Sequence, residues 1–104
     1  MANTLQILAS QRRADILRLV WHHERAAGDI AAHFDVTFGA VSQHLALLRE
    51  AGLLEVRRDG TRRFYRARRA ALGPLAEYLE GVWRDQLLHL KDLAEKEEHD
   101  DGDD

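Results

Sequence analysis

Apolar positions recur along this chain at helical spacing in several stretches, and at alternating spacing in one. Leu5, Ile7 and Leu8 open a short segment that predicts a first helix. Ser10 suits the N-cap of a second, whose apolar face is Ile16, Leu17, Leu19 and Val20 and which ends near Trp21-His22-His23. Gly28 interrupts the pattern. A short helix follows from Asp29 or just before it, with Ile30, Ala31 and Phe34 as inner positions. Asp35-Val36-Thr37 predicts a tight turn, and Thr37 can cap the next helix, Phe38 to Ala51. There Val41, Leu45 and Leu48 share one face, while Ser42, Gln43 and Arg49 fall elsewhere. Gly52 sits where a left-handed C-terminal residue is usual.

The pattern then changes period. Leu53 to Arg57 and Arg62 to Ala67 predict two strands around the Asp-Gly pair of Arg58-Asp59-Gly60-Thr61, a tight-hairpin signal. Gly73-Pro74 punctuates the chain, and Pro74 suits the first turn of a helix. A long helix is expected from Leu75 to Glu98, about 36 Å in length at 1.5 Å per residue. Its broad apolar stripe includes Leu79, Val82, Trp83, Leu87 and Leu90. The expected fold is mainly α, about five helices with a two-stranded β wing. Residues 1–98 are expected to form one domain, and 99–104 an acidic, disordered tail.

Charge changes the picture more than composition does. The 104 residues suit a single domain, and their 45% hydrophobic content argues against global disorder. The net charge of −3 runs against a nucleic-acid binder. However, Glu95 to Asp104 holds seven acids and one lysine, leaving the remainder basic. Eight arginines lie between Arg49 and Arg69, against only Glu50, Glu55 and Asp59. Such a cluster is the footprint expected of phosphate binding. The alternative is that the arginines only solvate a hairpin.

The order helix, turn, helix, basic ribbon predicts a helix-turn-helix with a wing. The second helix opens on small and polar residues, Thr37, Gly39, Ala40, Ser42 and Gln43, which allow entry into a major groove. Glutamine can read an adenine edge bidentately. Ribbon arginines can hold phosphates.

The stretch Asp29 to Ala67 closely resembles the ArsR/SmtB family of winged helix-turn-helix regulators. The likeness rests on Val41-Ser42-Gln43-His44-Leu45, Leu48-Arg49-Glu50-Ala51-Gly52-Leu53 and Arg63-Phe64-Tyr65, and extends over residues 5 to 97. The C-terminal part is similar to a cysteine-free branch. The resemblance implies a homodimeric repressor on a palindromic operator, built through the first and last helices by Leu5, Leu8, Leu79, Val82, Trp83, Leu87 and Leu90. It implies DNA contact by Thr37, Ser42, Gln43 and His44, with Arg57, Arg58, Arg62 and Arg63 in the wing. Phe38-Gly39 departs from the family pattern. Phe38 can pack on the preceding helix or meet a thymine methyl.

Other chemistry is weakly signalled. No cysteine is present, so disulfides, thiolate metal sites and cysteine nucleophiles are excluded. The glycines are dispersed and no Ser-His-acid context is recognisable, so an enzyme is not expected. Asp85 and His89 share a helix face, and with Glu98 or His99 of a partner copy they form a candidate regulatory Zn or Ni site. The competing view is of isolated side chains on a solvated helix. No cofactor is required. No apolar run could span a bilayer and Met1 to Thr4 lacks a secretion pattern, so a cytoplasmic location is the default expectation. A protein-interaction module without specific DNA binding is the alternative function.

Overall fold

The computed structural model describes the backbone of residues 4–102 and side chains through Glu95. Its contacts divide the chain into two units that meet between Leu72 and Gly73.

The first unit begins with α1 (Thr4–Leu8) and α2 (Gln11–Leu19). The Ser10 hydroxyl accepts from the Arg13 amide at 3.3 Å, capping α2 as expected. Next come β1 (Arg25–Ala26), α3 (Ala27–Ala31) and α4 (Phe38–Glu50). The Thr37 hydroxyl accepts from the Ala40 amide at 3.1 Å, so α4 starts where the sequence places it. It ends in a Schellman arrangement. The Leu53 amide donates to Leu48 O at 3.0 Å and the Gly52 amide to Arg49 O at 2.9 Å, with Gly52 at φ +78°.

The ribbon is β2 (Leu54–Asp59) and β3 (Arg62–Ala67), antiparallel with Val56 opposite Tyr65 and Asp59 opposite Arg62. The loop is therefore Gly60-Thr61, with Gly60 at φ +64° in the first central position. Asp59 belongs to the strand, one residue later than the Asp-Gly signal suggests. The expected two-stranded wing, β2 and β3, is present and gains a third strand. β1 pairs with β3, Arg25 opposite Tyr65 and Ala26 opposite Phe64, giving a three-stranded sheet in the order β1-β3-β2. Two residues are too few to carry an alternating pattern, and the pairing is fixed by distant partners. Two backbone bonds anchor the base of the ribbon: the Ala67 amide donates to Val20 O at 3.0 Å, and the Arg68 amide to Leu53 O at 2.8 Å.

The core lies where α2, α3 and α4 meet the ribbon base. Ile16, Leu17, Val20, Ile30, Val41, Leu45, Leu48 and Leu53 are almost wholly buried. Ile30 is inside as expected, but Ala31 and Phe34 are only half-buried. Phe34 carries the Arg12 guanidinium 4.9 Å from its ring centroid. A one-turn helix, α5 (Arg69–Leu72), closes this unit.

The second unit is α6 (Pro74–Gly102). Among the described residues there are thus six helices rather than about five, α5 being too short for a periodic signal. Regular helix also continues past the expected end at Glu98 into the segment read as a disordered tail. Ala94-Glu95-Lys96-Glu97-Glu98 are strong helix formers, and no breaker intervenes before Gly102. Asp103 and Asp104 lie outside the described residues.

The core makes a direct forecast. Leu48→Ala, at a side chain with no exposed surface, is expected to lower unfolding free energy by about 2–5 kcal/mol in denaturant titration at fixed protein concentration. Gly52→Ala is expected to cost about 1 kcal/mol through its positive φ alone. A Leu48→Ala loss below that of Gly52→Ala would contradict this account of the core.

Candidate nucleic-acid interface

The surface of interest is built by the start of α4 and the ribbon beside it. Burying Val41, Leu45 and Leu48 turns the opposite side of α4 to solvent. Thr37, Phe38, Gly39, Ser42 and Gln43 are all exposed. Phe38 is 57% exposed, so it does not pack into the preceding helix. A Cβ on Gly39 would meet nothing closer than Thr37 Oγ1 at 3.9 Å.

His44 departs from this exposed set. It lies three residues after Val41 and four before Leu48, on the border of the buried face. It is half-buried, and its Nδ1 is buried with no hydrogen-bond partner among the described residues. Partial desolvation, reinforced by the positive charges of Arg13 and Arg12, holds its pKa below the ordinary 6.5. The ring therefore belongs partly to the packing of α4, not wholly to its groove-facing edge.

The ribbon sorts its arginines by strand alternation. One face carries Leu54, Val56, Tyr65 and Ala67 toward the core, and Arg58 and Arg63 continue that face to the tip. The other carries Glu55, Arg57 and Asp59 opposite Arg66, Phe64 and Arg62. Arg57 is heavily engaged. Its Nη2 and Nε donate to Glu24 at 2.6 and 3.1 Å, and its guanidinium lies 4.6 Å from the Phe64 centroid. Arg62 shares that ring at 5.0 Å and approaches Asp29 at 3.8 Å. Arg58 and Arg63 are exposed and have no ion-pair partner among the described residues.

The two elements form one concave surface. A cleft of about 410 Å³ between them is lined by Phe38, Ser42, Thr61, Arg62 and Arg63. A second, of about 330 Å³, is lined by Ser42, Ala46, Arg49 and Arg63. Ser42 and Arg63 line both, so the free arginine stands across from the small side chains of α4.

Neither Glu24 nor Asp29 was expected from the sequence as an arginine partner. Glu24 is 33 residues from Arg57, and only the fold brings them together. The Arg57 hydrogen bond, with the charges of Arg57 and Arg66 assisting, holds the Glu24 carboxyl below its ordinary value.

The expected dimer residues are also placed. In the first unit, Leu5 is 64% exposed and Leu8 half-buried. On α6, Leu79, Val82 and Trp83 are half-buried, while Leu87 and Leu90 are each 60% exposed. Asp85 and His89 are exposed one turn apart, and the side chain of His99 lies outside the described residues. Among the described residues, no group of three His, Asp or Glu is placed to hold a metal ion. No described helix is long and apolar enough to cross a membrane.

A helix presenting small and polar groups beside a ribbon with unpaired arginines defines a winged helix-turn-helix DNA-binding protein. Comparison with known proteins agrees. Residues 10–56 match the model of the bacterial regulatory protein, arsR family. The chain is 35% identical to the HTH-type transcriptional regulator Rv2034 of Mycobacterium tuberculosis, over 91% of this chain and 89% of that one. It is 29% identical to the transcriptional activator HlyU of Vibrio cholerae, over 76% of this chain and 73% of the relative. Among solved structures, a homodimeric winged helix-turn-helix DNA-binding domain from Mycobacterium bovis, Mb0332, superposes with a TM-score of 0.65 at 34% identity, covering 81% and 78% of the two chains. The chain belongs to the arsR family. It is a transcriptional regulator and not an enzyme.

Two titrations test the local electrostatics. The depressed Glu24 carboxyl adds stability that is present above the unfolded value near 4.5 and is lost as pH falls through the folded value. Carbon-detected NMR is expected to find Glu24 below 4.5, and to find it raised in Arg57→Ala. A histidine kept neutral works in the same direction. Stability is complete above 6.5 and declines as pH falls from there through the folded value. His44→Gln is expected to flatten that part of the stability profile; an unchanged slope would refute the placement of His44.

Proposed function

We propose that two copies of this chain pair through α1 and α6 and bind a palindromic operator as a repressor. The observation that carries this reading is the concave surface shared by the start of α4 and the free arginines of the ribbon. Pairing is supported by Leu5, Leu87 and Leu90, which stand exposed, and by the homodimeric state in the description of Mb0332. Fully burying each leucine is worth about 1.5–3 kcal/mol, so the exposed set is a strong driving force for association. Pairing sets two α4 helices in successive major grooves, about 34 Å apart. A bound dimer then excludes other proteins from the promoter it covers. DNA being the target, the site of action is the cytoplasm. Binding requires no cofactor.

Within each half-site the roles divide. Thr37, Gly39 and Ser42 allow close approach, and Gln43 reads an adenine edge. Phe38 lies against a thymine methyl, the apolar feature of the major groove. Arg58 and Arg63 hold phosphates, with Arg62 beside them. Arg57 contributes less charge to DNA, because Glu24 already neutralises it.

Selection of bound duplexes from a random pool, followed by mobility-shift titration, tests this reading. The paired change Arg58→Ala with Arg63→Ala is expected to weaken binding on all sequences and to reduce the salt slope by about 1 for each arginine. Arg57→Ala is expected to change that slope much less. Gln43→Ala is expected instead to relax preference at one position in each half-site, by about 1–3 kcal/mol. Failure to select any sequence would favour a protein-interaction module. A promoter–reporter fusion reads the sign, since the Vibrio cholerae relative is named a transcriptional activator.

A further inference from the structure

The first unit holds a cleft of about 390 Å³ away from the α4–ribbon surface. It lies between α2 and the segment running through β1 and the turn after α3. That volume falls within the range of small-molecule sites. Leu19 and Phe34 supply apolar wall. Five nitrogen-bearing side chains surround them, Arg18, His22, His23, Arg25 and His33, against one carboxylate, Asp15.

The donors are largely uncommitted. Arg25 spends only Nε, which donates to Leu19 O at 2.8 Å and holds the guanidinium at the cleft wall. Its terminal nitrogens make no hydrogen bond among the described residues, nor do the side chains of Arg18, His22 and His23. His33 is committed as a donor: its Nδ1 donates to Asp29 O at 2.9 Å, so in the neutral ring Nε2 is an acceptor. Asp15, in contrast, already accepts from Gln11 Nε2 at 2.8 Å. The histidines and Asp15 do not converge as metal ligands, since among the described residues no three such groups are placed to hold an ion. The cleft is thus basic, partly aromatic and rich in free donors, which suits an anion with a flat apolar body.

We propose that this cleft binds a small aromatic carboxylate, and that the ligand regulates DNA binding through β1. The carboxylate is taken by Arg18 and the free nitrogens of Arg25, the pairing that a guanidinium fork favours. The ring lies against Phe34 and Leu19. Arg25 also links the cleft to the ribbon. It is a residue of β1 and stands opposite Tyr65 of β3, while the adjacent Glu24 grips Arg57. A ligand that draws Arg25 from Leu19 O acts on the strand that supports the wing. It alters operator affinity by binding one position of that strand better than another.

The test uses the full chain and salicylate as probe, with benzyl alcohol and acetate as controls for ring without charge and charge without ring. Titration followed by amide NMR, without DNA, is expected to give saturable shifts at residues 18–25 and 33–34, with half-saturation at or below about 1 mM. Neither control should match it. Arg18→Ala, at an exposed position that leaves the core intact, is expected to weaken binding by about tenfold or more. Lys91→Ala, which removes a cation on α6, should leave it unchanged. Operator affinity is then measured with and without saturating salicylate. A change of about threefold or more that is lost in Glu24→Gln, with salicylate binding retained, supports the route through β1. Shifts that do not saturate, that centre on Arg58 and Arg63, or that acetate reproduces would overturn the site. Saturable binding with unchanged operator affinity would overturn the regulatory route. Because the titration contains no DNA, its failure is distinct from a failure of the repressor reading.

Discussion

The structure depends on one division of α4. Val41, Leu45 and Leu48 must be removed from water, and a single helix cannot do that without committing its remaining faces. Thr37 fixes where the helix starts and Gly52 where it stops, so the rotation of the exposed edge is set at both ends. The stop also launches the ribbon. Leu53 is buried directly after the Schellman turn, and its carbonyl receives the Arg68 amide at the far end of the hairpin. The α4 edge and the wing are therefore parts of one packing solution. The concave surface follows from the core and needs no contact made for its own sake.

Charge is distributed within that frame by strand alternation. Successive arginines in a ribbon point to opposite faces, so Arg57 and Arg58 have different environments although they are neighbours. Arg57 meets Glu24 and Phe64, while Arg58 and Arg63 meet solvent. The exposed pair with Glu24 adds little to stability. Its larger consequence is that it restrains the ribbon against the strand at its edge and withdraws one cation from the free set. The count of basic residues between Arg49 and Arg69 thus overstates the charge free to meet phosphate.

Legibility in the sequence followed the length over which a physical rule repeats. The faces of α2 and α4, their caps and the glycine that ends α4 were readable because each rests on local periodicity or one-residue chemistry. β1 and α5 were not, since two and four residues give no period to detect. The end of α6 differs from its expected bound for another reason. Acidic composition was taken as a sign of disorder, whereas glutamate and lysine next to alanine are good helix formers. On α4, the exposure of Ser42 and Gln43 was readable from the helical wheel. His44 stood on its boundary, and only the surrounding packing decides such positions. Glu24 gave no local signal, because its role exists only once β1 has paired with β3.

Two local choices on α4 run against the stability of the helix that bears them. Alanine is the better helix former, and a Cβ at Gly39 has room, with nothing nearer than Thr37 Oγ1 at 3.9 Å. The core therefore does not require glycine there. Phe38 leaves more than half of an aromatic surface in water, with Val36 also exposed just before it. Neither residue is explained by folding. When local rules fail together at one place on an otherwise consistent element, function is the usual reason. Here both failures fall on the first turn of α4, the edge that a major groove would meet first. A bare backbone beside a projecting ring is a shape complementary to a groove floor with a methyl group on it.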